Sequence, residues 1–510
     1  METQDMRRHQ MRAQMKFSFL LLFSFAYSAT LYMGSGETYT DLQAAMAAMS
    51  SGDTLIIRDG TYAGASNMID NSNIPPDGIL GDYTVVMAEN PGNVYFDGEA
   101  TNNMVYVSTP TIDYVKFIGI IWHSSNTGNC VYIDDASYLW FQQCGFFDAG
   151  INAATSYTGL YLRYCTYTLV EDCYFYGEFY YGCTFLECDS SIMRRCVARK
   201  DKHRGTRGSN FTTYSSYDIE IQNCIAIDGD NNAAYEDVSS GLYALYNTNT
   251  NGGAARIHHR GNIVLNCQYF SGYVMETCVL YTFDNIVCWD TERGFFDRTS
   301  SNADGIYDHC LFGNNNPGIG WGAIIGAHTI TNSIMVQNDT YGWEYGDPDL
   351  DYNCFYDNAT NYGNSSHRGA NDYCSENSNE INPFNNSLDY LLRIEAASEL
   401  ITAGESGARV GPNIEKRIGG TGVIWGEAGY NAETGVDLWP FPNEAIIKEH
   451  FSAYNDENVD SDRGFCATGE TLTHYIWNYL GNGNPYTSEL EGGESSPSTK
   501  TADVDSVYAQ

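Results

Sequence analysis

The sequence predicts an all-β solenoid, a right-handed parallel β-helix with an N-terminal capping helix and a C-terminal mixed appendage. Three observations predict it. Cysteines recur at near-regular intervals, short alternating apolar stretches flank them, and a polar turn residue stands before most of them.

The cysteine ladder runs Cys144, Cys173, Cys196, Cys224, Cys267, Cys288, Cys310 and Cys354, with Ser333 filling the gap before the last. Steps of 29, 23, 28, 43, 21, 22, 23 and 21 residues mark one supersecondary unit repeated. Fifteen cysteines in an exported chain would ordinarily suggest disulfides. This spacing predicts stacked, inward-pointing free thiols instead, acting as small apolar groups. Cys165 and Cys188 make a second, shorter ladder, and no CxxC pair supports a metal site.

The text around each rung explains the strands. Ile219-Glu220-Ile221-Gln222-Asn223-Cys224-Ile225-Ala226-Ile227 and Leu350-Asp351-Tyr352-Asn353-Cys354-Phe355-Tyr356 alternate as strands do. A single Asn between two strands suits a sharp bend, because Asn tolerates the left-handed backbone region. Strands this short cannot bury a face alone, whereas parallel coils stacked about 4.8 Å apart can. Ahead of them, Thr40 and Gln43 read as a capping box opening a helix from Asp41 to Met49, placed to cover the first coil.

The ends read differently. Arg7, Arg8, Arg12 and Lys16 precede an apolar run from Phe17 to Phe25, and Ala26-Tyr27-Ser28 suits cleavage after Ser28. Residues 1–28 are therefore expected to be a signal peptide and 30–411 the β-helix with its cap. Residues 412–486 would be a C-terminal cap or appendage with a helix from Glu470 to Leu480, and 487–510 a disordered tail. No later stretch approaches membrane-spanning length, so a secreted or cell-surface protein is expected. The formal charge of −38 excludes general binding to a phosphate backbone and leaves divalent cations as plausible company.

Leu42-Gln43-Ala44-Ala45 through Gly52-Asp53-Thr54-Leu55 to Gly60-Thr61-Tyr62, the Asn-Cys rungs, and Asp389-Tyr390-Leu391-Leu392-Arg393 through Ala403-Gly404 to Val410-Gly411 carry a family likeness. Over roughly residues 35 to 415 the chain resembles the pectate-lyase-like superfamily of right-handed parallel β-helix proteins. The resemblance implies the fold. Its members include polysaccharide lyases, glycoside hydrolases, adhesins and phage tailspikes, so activity must be argued from a site. The paired-aspartate, His-Gly and Arg-Ile-Lys set of polygalacturonase-like members is absent, and His203-Arg204-Gly205 departs from the Arg-His-Gly order of related lyases.

One local excess points to chemistry. Arg194, Arg195, Arg199, Lys200, Lys202, Arg204 and Arg207 fall within 14 positions, with His203 among them, in a strongly acidic chain. By register, the loops carrying Asp228, Asp230, Arg256, Arg260, Arg293 and Arg298 should lie nearby. Such a cluster suits β-elimination on a uronate-containing polysaccharide. Arginine or Ca²⁺ neutralises the carboxylate, and a base removes the C5 proton. Lys202 and His203 are the candidate catalytic bases. Arg199, Arg204, Arg207, Arg256, Arg260, Arg293 and Arg298 are the candidate substrate-binding residues, and Asp228 and Asp230 the candidate Ca²⁺ ligands. Two alternatives stay open: an ion-pair network that pins loops, and a non-catalytic adhesive, glycan-binding or structural β-helix.

Overall fold

The computed structural model describes residues 28–99, 103–123, 128–149, 157–202, 208–229, 242–248, 256–276, 280–297, 304–320, 328–344, 348–364, 368–385, 389–455 and 459–481. The chain winds through three parallel faces per coil. One coil places Asp189–Arg194 in the first sheet, Val197–Lys202 in the second and Gly208–Tyr214 in the third. The next repeats this with Tyr217–Gln222, Ile225–Ile227 and Leu242–Thr248. The first sheet alone holds 13 strands, from Thr30–Met33 to Asp349–Asp351. Alternation does the sorting, since a strand's successive side chains face opposite sides: Ile219 and Ile221 enter the interior while Glu220 and Gln222 face outward.

The bend before each second-sheet strand uses a left-handed residue. Gln143, Asp172, Arg195, Asn223, Asn285, His309 and Asn332 all take φ between 48° and 55°. Asparagine fits this region, but arginine and histidine adopt it here as well, at a conformational cost that the winding outweighs.

Most of the described thiols are interior, but their register differs from the single ladder expected. All 14 described cysteines are free and buried. Cys144, Cys173, Cys196, Cys224, Cys310 and Ser333 share one column, each directly after its left-handed bend. Asn262 and Ile286 occupy that column on the rungs between. Cys267 sits instead at the second bend, opposite Thr291. Cys288 lies two positions past the column, in register with Phe312. Cys354 belongs to the outward face, beside Ile334. Equal spacing along the chain does not fix the column, because loop lengths vary between coils.

Asparagines make ladders of their own. Asn353 Nδ2 donates to the Ile330 carbonyl at 2.7 Å while its Oδ1 accepts from the Ser333 amide at 3.0 Å. At the second bend Asn338 Oδ1 accepts from the Asn315 amide at 3.2 Å, and Asn338 Nδ2 donates to the Phe312 carbonyl at 3.1 Å. Each amide thus bonds backbone groups that the bend releases from the strand ladder.

Helix α1 (Leu42–Ala47) is shorter than expected and is capped by Asp41, whose side chain accepts from the Ala44 amide, rather than by Thr40. Gln43 donates to the Ala65 and Met68 carbonyls instead of closing a capping box. Near the other end, α2 (Glu444–Ala453) and α3 (Leu472–Tyr479) belong to a segment that runs along the second sheet. Val197, Ile225, Ile263, Val287, Leu311 and Ile334, outward on that sheet, form one buried cluster with Leu391, Trp439, Ile447, Phe451 and Trp477. An apolar outer face this long would otherwise be open to water. Among the described residues no helix is long and apolar enough to cross a membrane.

Candidate functional site

The basic cluster resolves into two groups. Arg194, Arg195 and Arg199 are fully buried. Arg194 donates to the Gly420 carbonyl at 2.5 Å and also to that of Val423, and Arg195 pairs with Asp172 at 2.6 Å and with Glu171. Arg199 pairs with Asp201 at 2.8 Å and donates to the carbonyls of Phe451 at 2.9 Å and Ser461 at 3.2 Å. Arg199 therefore pins the C-terminal segment and is not presented to a substrate. Of the open alternatives, loop pinning holds for these three. Burial pushes the Arg194 guanidinium down to about 10 and the Glu171 carboxyl up.

Lys202 is half-buried and closes its second-sheet strand opposite Glu178, at the corner that leads into the third sheet. His203, Arg204, Arg207, Arg298 and Asp230 lie outside the described residues. Arg256 is exposed and bound to Asp218. Arg260 bridges Glu220 at 3.0 Å and Asp284 at 3.5 Å, while Arg293 meets Glu292 at 3.4 Å and the Phe296 ring at 4.9 Å. Arg256 and Arg260 share the first sheet's outer face, whereas Arg293 opens the third-sheet end of a long strand elsewhere.

The cation candidates also change. Asp228 is buried and accepts from Asn266 Nδ2 at 2.7 Å and from the Tyr475 hydroxyl at 2.8 Å; burial pushes its carboxyl up. It anchors α3 through the Tyr475 hydroxyl. Asp284, Asp308 and His309 have ligand atoms within 4.8 Å of one another. This trio does not fit Ca²⁺, which takes about six to eight oxygens. Asp308 is already bonded to His309 at 2.9 Å and Asn332 at 2.8 Å, and Arg260 faces Asp284. The adjoining cleft beside Arg260, Asn285, Asn413 and Glu433 holds about 70 Å³, room for a few waters and not for a sugar ring.

The outer face of the third sheet is built otherwise. Tyr106, Tyr132 and Tyr161 stand in register on three successive coils. Their rings stack with centroids 4.9 and 5.2 Å apart and planes within 14°. The same column continues through Thr184 and Thr212 to Tyr246. Thr184 and Thr212 are buried, and among the described residues neither hydroxyl has a hydrogen-bond partner. Tyr246 and Phe296 pack with Tyr181 and Tyr214 beyond them. Three coil steps separate Tyr161 from Tyr246, about 14 Å at the usual strand spacing. The result is an aromatic platform at Tyr106, Tyr132 and Tyr161 that ends against buried threonines. Tyrosine abundance hinted at this in the sequence, but which tyrosines face outward depends on register.

Comparisons with known proteins agree with the winding. Residues 100–270 match the family model described as a right handed beta helix region. No curated protein matches the sequence. Among solved structures, a pectate lyase is 14% identical with a TM-score of 0.43, covering 76% of this chain and 96% of its own. The A-module of an Azotobacter vinelandii mannuronan C-5 epimerase is 12% identical with a TM-score of 0.47, covering 65% and 92%. An alginate lyase from a Paenibacillus strain is 12% identical with a TM-score of 0.39, covering 61% and 98%. Identities this low give no residue-level correspondence. With its stacked parallel sheets, the chain is a right-handed parallel β-helix.

Proposed function

We propose that this chain is an exported carbohydrate-active β-helix that holds a polysaccharide along the outer face of its third sheet. The observation that carries this reading is the column of stacked, outward-facing rings Tyr106–Tyr132–Tyr161. A sugar ring offers an apolar face that stacks on tyrosine rings of this kind.

The test is retention on immobilised pectate, alginate and chondroitin. Wild type should be retained on at least one, and Tyr132→Ala with Tyr161→Ala should elute early. No retention on any of these polymers, or retention indifferent to the tyrosines, would sink the reading.

A second reading is β-elimination on an acidic glycan, favoured by the position of Lys202 beside the corner that feeds the third sheet. Lys202 or His203 would take the C5 proton, a C4–C5 double bond would form, and the C4–O bond would break with its electrons leaving on the oxygen. Elimination creates an ultraviolet-absorbing product. A rise with wild type that is lost in Lys202→Ala and His203→Ala supports it, and a flat trace with a polymer that binds refutes it.

A further inference from the structure

Arg58, Arg163, Arg195, Arg199, Arg260 and Lys416 are each bonded to a carboxylate. The Lys116 ammonium instead lies over two rings, 4.5 Å from the Tyr83 centroid and 3.9 Å from that of Trp140. Among the described residues no hydrogen bond or ion pair reaches it. It is half-buried on the outer face of the first sheet, in register with Val85 and Trp140.

Beside it runs a second tyrosine stack. Tyr114, Tyr138 and Tyr167 stand two residues before Lys116, Trp140 and Leu169 on successive coils, with centroids 4.4 and 4.9 Å apart and planes within 7°. All three take left-handed backbone, φ 55°, 57° and 52°. That conformation is uncommon for bulky side chains. Here it lays the rings as a continuous strip, exposed at Tyr167. Two features then adjoin: a flat aromatic strip and an ammonium that makes no direct ion pair among the described residues, on a protein of formal charge −38.

We propose that Lys116 and the Tyr114–Tyr138–Tyr167 strip form a second glycan subsite, in which a sugar ring lies on the strip and its anionic substituent meets the Lys116 ammonium. This rests on the carbohydrate reading above and adds the substrate class: a polysaccharide bearing carboxylate groups. Burial between the rings lowers the amine to about 8, opposed by the charge of Glu171. The other titratable groups around the aromatic box are the Tyr83, Tyr114 and Tyr138 phenols and Glu427, which acts on Tyr83. An anion binds the charged amine, so affinity should decline as pH rises through about 8.

The experiment compares oligogalacturonate with its carboxyl-reduced, neutral counterpart by calorimetry, using wild type, Lys116→Gln and Lys116→Arg. One charge-assisted contact corresponds to about a tenfold change in affinity. Lys116→Gln should lose about that much for the acidic oligomer, nothing for the neutral one, and Lys116→Arg should recover it. Reductive methylation of wild type, read by mass spectrometry, should show Lys116 protected by the acidic oligomer alone. Equal binding of the acidic oligomer by wild type and Lys116→Gln, or equal loss for both oligomers, overturns the subsite. Binding that depends on Tyr132 and Tyr161 but not on Lys116 overturns this inference and leaves the third-sheet reading standing. Wild type that binds neither oligomer overturns the subsite as well.

Discussion

At the scale of single residues, side chains of one type divide by the face they occupy. His258 and His259 are neighbours on one strand. His258 faces outward, 2.7 Å from the Thr282 hydroxyl, and burial brings it down to about 4. His259 points inward, stacked 4.6 Å above Phe283 with both ring nitrogens unpaired among the described residues, and burial brings it down to about 3. A histidine whose folded value lies below its unfolded value of about 6.5 contributes stability above that value and loses it as pH falls. Stability should therefore decline from pH 6.5 towards 3 through His259. His259→Phe should preserve the stack, raise the melting temperature at pH 5 and flatten the acid slope, as followed by calorimetry. A variant that melts lower at every pH with the same slope would show that the imidazole is needed in the interior.

At the scale of elements, the bends hold the winding. Short strands release backbone groups at each corner, and the side-chain amides of Asn262, Asn353, Asn315 and Asn338 bond them from the neighbouring coil. Asn338→Ala would leave the Asn315 amide and the Phe312 carbonyl without those bonds, at about 1–3 kcal/mol for each buried group. Faster hydrogen exchange at the coils around Asn315 and Asn338, with the N-terminal coils unchanged, is the expected result. The sequence marked asparagine as the bend residue, and Asn223, Asn285 and Asn332 bear that out. It did not show that Asn262 and Asn353 sit one place later as inward rungs, because the two roles differ in side-chain direction and not in residue type.

At the scale of the whole molecule, the C-terminal segment makes a stack of coils into a coupled body. A solenoid contacts only its neighbours and can fray from either end. Here Tyr95 bonds His450 at 3.2 Å, Tyr454 bonds Asp148, Arg199 holds Phe451 and Ser461, and Asn285 accepts from the Asn413 amide. One segment thereby ties coils that do not touch each other. Arg199→Ala leaves Asp201 short of a buried partner, and breaking such a pair costs about 3–5 kcal/mol. The melting transition should fall and broaden as the clamp loosens. A sharp transition at the wild-type temperature would mean that the coils cohere without it.

Recurring thiols, alternating strands and polar corners sufficed to specify a parallel β-helix, since periodic burial is written directly in residue order. Column membership was not: Cys267, Cys288 and Cys354 are spaced like ladder residues yet lie at a bend, inside and outside. The basic cluster was legible as a cluster, but only packing could show that Arg194, Arg195 and Arg199 close over the C-terminal segment. Whether a cation is available depends on which anions and carbonyls fold against it from residues more than 200 positions away. The tyrosine platform and the Lys116 box are likewise products of register, because residues 20 to 30 apart become neighbours only when the coils stack.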